Sequence, residues 1–275
     1  MNYQNIAVHT FTTKPWSISE CIEGYAKRGI GGISIWRETV KGEDLKKVKA
    51  QIADAGLKSI SLVRGGFFTG LSSQSREEAL AENREALKEA AALGLDSIVL
   101  VCGATVGQTP RENYDQILQG VAALTDEAEG LGVKLLIEPL HPLYAGDRSG
   151  ICSLAMANKI CDELDHSNVG IAFDVYHVWW ELDLEEQIQY AAKKGRLDTY
   201  HICDFKPDQN DILLDRGIMG EGCVQLATID KWMKNAGFNG MREVEIFSAH
   251  WWQQDQDLFL DTILEAHDKT YTNIT

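Results

Sequence analysis

The sequence is poor in basic residues and contains no long apolar run. Its 275 residues include 26 Lys and Arg against 41 Asp and Glu, which gives a formal net charge of −15. A surface with this charge repels nucleic-acid phosphates and anionic membranes. No apolar stretch approaches the ~20 residues that span a bilayer, and the N-terminus lacks a basic segment followed by an apolar one. We therefore expect a cytoplasmic protein that binds neither nucleic acid nor membrane.

Paired cysteine motifs and linker-like segments are also missing. The six cysteines form no C-x-x-C pair and are scattered through apolar segments, so we expect reduced and mostly buried thiols. Only five prolines occur, and no Pro/Ser-rich stretch or charge block divides the chain. Composition is otherwise ordinary, with 44% hydrophobic and 24% charged residues. We expect one domain over residues 1–275.

Short apolar runs alternate along the chain with longer segments of helical period, the pattern of a parallel sheet with crossover helices. Residues 75–93, for example, predict a helix that ends before Gly94, and Gly56, Gly132, Gly195 and Gly237 likewise precede strands. The eight candidate strands are 6–11, 32–36, 58–63, 96–102, 133–138, 168–174, 197–203 and 242–247.

Eight such units predict a single (β/α)₈ TIM barrel. The alternative, an open doubly wound sheet, usually carries a glycine-rich loop after its first strand. His9-Thr10-Phe11 is not such a loop, and the barrel is therefore favoured.

Titratable residues occupy the ends of the last four candidate strands, where a barrel of this kind has its active site. They are Glu138, Asp174, His201 and Glu245. Each one alone is explained by pairing with a neighbouring Lys or Arg. Three carboxylates at one barrel mouth repel one another unless a cation lies between them. One imidazole with three carboxylates suits one divalent ion. Mn²⁺ is the expected ion, Mg²⁺ and Co²⁺ are alternatives, and Zn²⁺ is less favoured.

The order Glu, Asp, His, Glu on these strands resembles the metal-ligand set of the xylose-isomerase-like sugar phosphate isomerase/epimerase superfamily. That superfamily includes ketose 3-epimerases and inosose-processing enzymes. The resemblance implies a metal-dependent sugar or keto-sugar isomerase or epimerase that removes a proton next to a carbonyl through a metal-stabilised enediolate. It further implies that Glu138 and Glu245 are both metal ligands and the acid/base pair, while Asp174 and His201 are mainly ligands.

Several further residues are candidates for binding a carbohydrate substrate. The D-x-x-H run from Asp174 to His177 resembles the ketose 3-epimerase pattern, which implies that His177 binds substrate oxygens. His141, Arg148, Arg64 and Arg216 are weaker candidates, since each could equally be a solvated loop residue, and the glycines at 220–222 fit a plain turn.

Aromatic residues cluster after the strands and predict a wall against a sugar ring. The alternative is a contact in a homo-oligomer. The residues are Trp36, Phe67, Phe68, Trp179, Trp180, Trp251 and Trp252.

The loop after Glu138, PLHPLYAGDRSG, lacks the second glutamate of simple ketose 3-epimerases. The main alternative is therefore a metal-dependent lyase or dehydratase that expels a β-substituent from a keto-sugar, keto-glycoside or keto-inositol. A non-catalytic sugar-binding barrel is the second alternative. The nuclease branch of the superfamily is disfavoured, because seven histidines and an acidic balance do not suit a multi-zinc site in a basic groove.

Overall fold

The computed structural model describes residues 3–271, and its eight parallel strands close into one barrel in chain order, with β1 paired to both β2 and β8. The predicted (β/α)₈ barrel is confirmed. The strands are β1 Tyr3–His9, β2 Ile30–Trp36, β3 Lys58–Gly66, β4 Ser97–Val101, β5 Lys134–Glu138, β6 Val169–Asp174, β7 Leu197–Ile202 and β8 Arg242–Val244.

Ten α-helices surround the barrel within the described residues. The helix predicted over 75–93 is present as α3, and its N-terminus is capped by the side chain of Ser72. The helices are α1 Ile18–Lys27, α2 Leu45–Asp54, α3 Ser73–Leu93, α4 Pro110–Ala122, α5 Thr125–Leu131, α6 Leu154–Leu164, α7 Val175–Val178, α8 Leu184–Lys193, α9 Leu226–Asn235 and α10 Gln256–Tyr271.

The glycines predicted to end helices all adopt the left-handed conformation. Their φ angles lie between 68° and 89°, a region that residues with a Cβ rarely enter. The chain can therefore leave each helix and turn directly into the following strand. These positions are Gly56, Gly94, Gly132, Gly195 and Gly237.

Two strands end two or more residues earlier than predicted, whereas β3 continues three residues further, to Gly66. β1 ends at His9, because the backbone N–H of Thr12 donates to the His9 carbonyl and the chain turns there. β8 ends at Val244, so that Glu245 is the first residue after the strand, although its N–H still donates to Ile202. The strand is therefore shorter than predicted, but the Glu245 side chain still lies on the inward face of the barrel.

Alternation along the strands determines which side chains enter the barrel. Leu136 and Ala172 belong to the small apolar cluster enclosed by the strands. Glu138 and Asp174 lie two residues further along the same strands, on the same face. The acidic end of the barrel is therefore built directly on its apolar interior.

The cysteines and the hydropathy of the helices were also predicted from the sequence. All six cysteines are free, and four of them are buried. No helix among residues 3–271 is both long and apolar enough to cross a membrane.

A buried ion pair joins α9 to the barrel. Arg242 donates from Nε and Nη2 to the two carboxylate oxygens of Asp230, at 2.6 and 2.9 Å, and both residues are buried. Burial would raise the pKa of Asp230, but hydrogen bonds from Arg242 and Lys234 hold it below its ordinary value.

We predict that Asp230→Asn lowers the free energy of unfolding by roughly 3 kcal/mol at neutral pH, because it leaves a buried guanidinium without its counter-charge. Urea denaturation measures the loss. Because the pKa is depressed in the fold, the difference from wild type should shrink as pH falls below about 4. The exposed Asp208→Asn is the control, and equal effects of the two substitutions would contradict the assignment.

Candidate metal centre

Four strand-end side chains converge at the carboxyl end of the barrel. Asp174 and His201 are register partners on β6 and β7, and Glu138 and Glu245 flank them from β5 and the end of β8. One ligand atom from each residue lies within 4.8 Å of the others, and all four residues are buried. The sequence-predicted set is therefore brought together in space.

His201 presents one defined nitrogen to the carboxylates. Its Nδ1 lies 3.4 Å from Glu138 Oε1 and 3.9 Å from Glu245 Oε2. Neither ring nitrogen of this buried imidazole has a hydrogen-bond partner within the described part of the chain. A buried polar atom without a partner is costly, so Nδ1 is open to an additional ligand.

Arg216 supplies the one guanidinium that contacts this cluster among the described residues. Its Nη1 lies 3.0 Å from Asp174 Oδ2 and 3.1 Å from Glu245 Oε2. The guanidinium is held between the rings of Tyr176 and Phe247. With the His201 imidazole neutral, as it must be to bind a metal ion, three carboxylates and one guanidinium leave a formal charge of −2, which a divalent ion would neutralise.

The buried carboxyls differ in their affinity for protons. Burial raises the pKa of Asp174, and the negative charges of Glu245 and Glu138 raise it further. Arg216 lowers this pKa but does not outweigh them. Burial would also raise the pKa of Glu245, but His9, Arg216 and His201 outweigh it and hold the pKa well below its usual range. Glu245 is thus held as a carboxylate.

A second polar layer lies deeper in the barrel, and the sequence analysis missed it. Glu243 Oε2 lies 3.5 Å from His9 Nε2 and 3.9 Å from His201 Nε2, and it accepts a 2.5 Å hydrogen bond from Ser34. His9 Nδ1 in turn lies 3.1 Å from Glu245 Oε1. The available signal was Glu243 itself, a charged residue two positions before Glu245 on an inward-facing strand.

The residues present fit a divalent cation at the upper layer. Ligand bonds of about 2.0–2.6 Å place opposite donors about 4–5 Å apart, which matches the 4.8 Å limit of this cluster. His9, His201 and Glu243 also lie within that limit, but they offer a divalent ion one carboxylate against three in the upper layer. Glu138, Asp174, His201 and Glu245 are therefore the better set.

Five of the predicted substrate-binding residues line the cavity above this cluster: Trp36, Arg64, Arg148, His177 and Arg216. His177 Nδ1 is buried without a hydrogen-bond partner among residues 3–271, and its Nε2 lies 3.4 Å from Arg216 Nη2. The Trp36 indole N–H donates to Glu245 Oε1 at 3.3 Å. Trp36 therefore lines the cavity and also holds a carboxylate in place.

Two other predicted substrate-binding residues lie outside the cavity lining. His141 stacks on Phe205, with ring centroids 5.5 Å apart, and its Nδ1 accepts from the Leu143 N–H. Trp179 packs on the same Phe205 ring at 5.3 Å and against the outer core. Both side chains are turned away by Phe205, which follows β7.

The other aromatic residues divide between core and surface. Trp251 stacks on Phe259 of α10, and Phe68 is buried. Trp252 packs against Phe11 next to the enclosed apolar cluster, and Trp180 is 38% exposed. A continuous aromatic wall is not formed.

The cavity itself is narrow, at about 40 Å³. Small-molecule pockets usually enclose ~300–1,000 Å³, so a sugar requires the covering side chains to move apart. Leu140, Tyr144 and Arg148 cover it from the loop after β5, and Leu213 covers it from the loop after β7.

The fold and this cluster define a (β/α)₈ barrel with an acidic, histidine-containing centre at the catalytic end of its strands. The family model described as xylose isomerase-like TIM barrel matches residues 22–263. The chain belongs to this family.

Individual relatives agree with that assignment. An inosose isomerase from Bacillus velezensis is 23% identical over 233 residues, covering 83% of this chain and 81% of the relative. The crystal structure of protein SMc04130 from Sinorhizobium meliloti 1021 is 38% identical with a TM-score of 0.93, covering 97% of this chain and 98% of that one. The IOLI protein, solved with a binding zinc atom, has 21% identity and a TM-score of 0.86, covering 98% and 99%. The expectation of an enzyme rather than a non-catalytic barrel is confirmed.

Metal binding to this centre should release protons. Burial would lower the pKa of His201, but the carboxylates of Glu138, Glu243 and Glu245 outweigh it and raise the pKa to about 10. The imidazole must lose that proton to become a ligand. We predict release of about one proton per Mn²⁺ or Zn²⁺ bound, and an affinity that rises roughly tenfold per pH unit between about pH 7 and 9.

Calorimetry in buffers with different ionisation enthalpies counts the protons. His201→Asn should abolish the release together with most of the binding, while the exposed His250→Gln should change neither. Tight binding without proton release would show that His201 is not a ligand.

Proposed function

We propose that the protein is a divalent-metal-dependent isomerase or epimerase acting on a sugar, keto-sugar or keto-inositol. The observation that carries the proposal is the convergence of Glu138, Asp174, His201 and Glu245 within 4.8 Å beneath one cavity. The names of the relatives, inosose isomerases, support the substrate class.

Glu138, Asp174, His201 Nδ1 and Glu245 would hold the ion. A bound divalent ion acts as a Lewis acid that polarises a carbonyl and its neighbouring hydroxyl. Three oxygen donors with one imidazole suit Mn²⁺, and we propose Mn²⁺ with Mg²⁺, Co²⁺ or Zn²⁺ as alternatives.

Glu138 and Glu245 are the proposed acid/base pair. They come from β5 and from the end of β8, so they approach the cavity from different sides of the barrel. Glu245 is held ionised by His9 and Arg216, which prepares it to accept a proton. For epimerisation, the acid form of Glu138 would protonate the same carbon from the opposite face, whereas for isomerisation the proton would go to the former carbonyl carbon. The acid form of Glu138 would take its proton from solvent, and Glu245 would release the abstracted proton to solvent to complete the cycle.

The surrounding residues position these groups. The Trp36 N–H and Arg216 Nη1 contact different oxygens of Glu245, which fixes the carboxylate plane. His177 Nδ1 has no partner among the described residues and lies in a residue that lines the cavity, so we assign it to a substrate oxygen.

Proton exchange tests the reaction class. In D₂O, the metal-loaded protein should place solvent deuterium on the carbon next to the carbonyl of a ketose or inosose, which NMR and mass spectrometry detect. Release of a β-substituent with enone absorbance would identify the lyase alternative instead. A requirement for NAD(P) with hydride transfer to the nicotinamide would refute the proposal.

Substitutions of the acidic residues should separate metal binding from proton transfer. Asp174→Asn should lose most of the metal and activity together, because it removes a ligand charge. Glu245→Gln should retain more of the metal, while kcat falls ~10³-fold through loss of the base. Metal analysis is made on the same samples as kinetics, with the exposed Glu265→Gln as control. Full turnover by Glu245→Gln would remove Glu245 from the mechanism.

A further inference from the structure

Two arginines line the central cavity without an ion-pair partner among the described residues. Arg64, near the end of β3, and Arg148, in the loop after β5, both border the cavity that contains Glu138, His177 and Glu245. No ion pair or side-chain hydrogen bond joins either guanidinium to another part of residues 3–271. Each packs instead on an aromatic ring: Arg64 lies 4.4 Å from the centre of Phe67, and Arg148 lies 5.6 Å from that of Tyr144.

The other arginines of the chain behave differently. The chain has ten, and seven of them form ion pairs with carboxylates, while Arg76 donates to the carbonyls of Gly70 and Ser72. In a protein with 41 acidic residues, a carboxylate partner is easy to supply. The two arginines without one face the same cavity. The seven paired residues are Arg28, Arg37, Arg84, Arg111, Arg196, Arg216 and Arg242.

With a divalent ion bound, the charges of the metal centre sum to zero without Arg64 and Arg148. A divalent ion together with Arg216 neutralises Glu138, Asp174 and Glu245. Arg64 and Arg148 then contribute two positive charges that nothing in the central cavity offsets. Burial lowers the pKa of Arg64, and the charge of Arg148 opposes its ionisation further, against Glu38 and Glu138. An arginine remains protonated nevertheless, so the unbalanced charge persists.

Their placement also provides space. Arg64 borders a second cavity of about 260 Å³, shared with Arg37, Glu38 and Phe67. Glu82 also lines this second cavity, and Arg64 lines both cavities. A guanidinium over an aromatic ring keeps its N–H groups free, and these groups form the planar fork that recognises carboxylate or phosphate oxygens.

We propose that Arg64 and Arg148 form an anion-binding subsite, and that the natural substrate is a sugar or cyclitol derivative carrying a carboxylate or a phosphate. This inference rests on the proposed function, because it places the subsite beside the reacting carbons. It narrows the substrate class from neutral keto-sugars to acidic ones.

Binding of unreactive analogues tests the subsite without turnover. Calorimetry on the Mn²⁺-loaded protein would compare D-glucitol, D-glucitol 6-phosphate, D-gluconate and inorganic phosphate. We expect one of the anionic analogues to bind about tenfold or more tightly than glucitol, and the preference to weaken with salt. The tighter of the phosphate and carboxylate probes identifies the group that the substrate carries.

Variants assign that preference to the two arginines. The double variant Arg64→Met/Arg148→Met, which keeps the packing of the side-chain stems, should remove the preference for anions and leave glucitol binding and metal content unchanged. The single variant Arg148→Met changes a residue in a surface loop and should lose part of the preference for anions. It keeps the test valid if the double variant does not fold. The exposed Arg111→Met is the matched control.

Two results would overturn the proposal. One is equal affinity of the wild type for glucitol and the anionic analogues. The other is an anion preference that survives in the double variant, which would place the anion on the metal or on Arg216. Metal content is measured on the same samples. Absence of bound metal refutes the proposed function, whereas the subsite is judged by whether phosphate binding depends on Arg64 and Arg148.

Discussion

Three carboxylates are buried together at one end of the barrel, and a single guanidinium contacts them among the described residues. Burial of like charges at this density is unfavourable unless a cation compensates it. Arg216 offsets one charge through Asp174 and Glu245, and His201 turns Nδ1 toward the carboxylates. The rest of the site follows from this imbalance, since a divalent ion both neutralises the cluster and supplies the electrophile that proton abstraction next to a carbonyl requires.

The barrel creates this imbalance through strand register. Asp174 and His201 are paired across β6 and β7, and alternation places Glu138 and Asp174 directly above Leu136 and Ala172. An apolar interior beneath the ligands excludes water and strengthens every electrostatic contact above it. His9 and Glu243 form a second polar layer, in which Glu243 Oε2 lies 3.9 Å from His201 Nε2 and His9 Nδ1 lies 3.1 Å from Glu245 Oε1.

Much of this arrangement could be predicted from the sequence. Apolar runs that end in Glu138, Asp174 and His201 indicate both the strands and the face that carries the site. His9 and Glu243 were missed because they lie inside the predicted strands 6–11 and 242–247, where register rather than sequence decides which groups meet. The positions of His141 and Trp179 depend on how loops pack against Phe205, and the absence of partners for Arg64 and Arg148 depends on tertiary contacts.

The proposed function depends on one divalent ion that is held by the four side chains of the upper cluster. Anomalous diffraction from crystals grown with Mn²⁺ tests it most directly. We expect a single anomalous peak within about 2.0–2.6 Å of ligand atoms of Glu138, Asp174, His201 (Nδ1) and Glu245. A peak held by His9, His201 Nε2 and Glu243, or no peak in the barrel at saturating Mn²⁺, would contradict it.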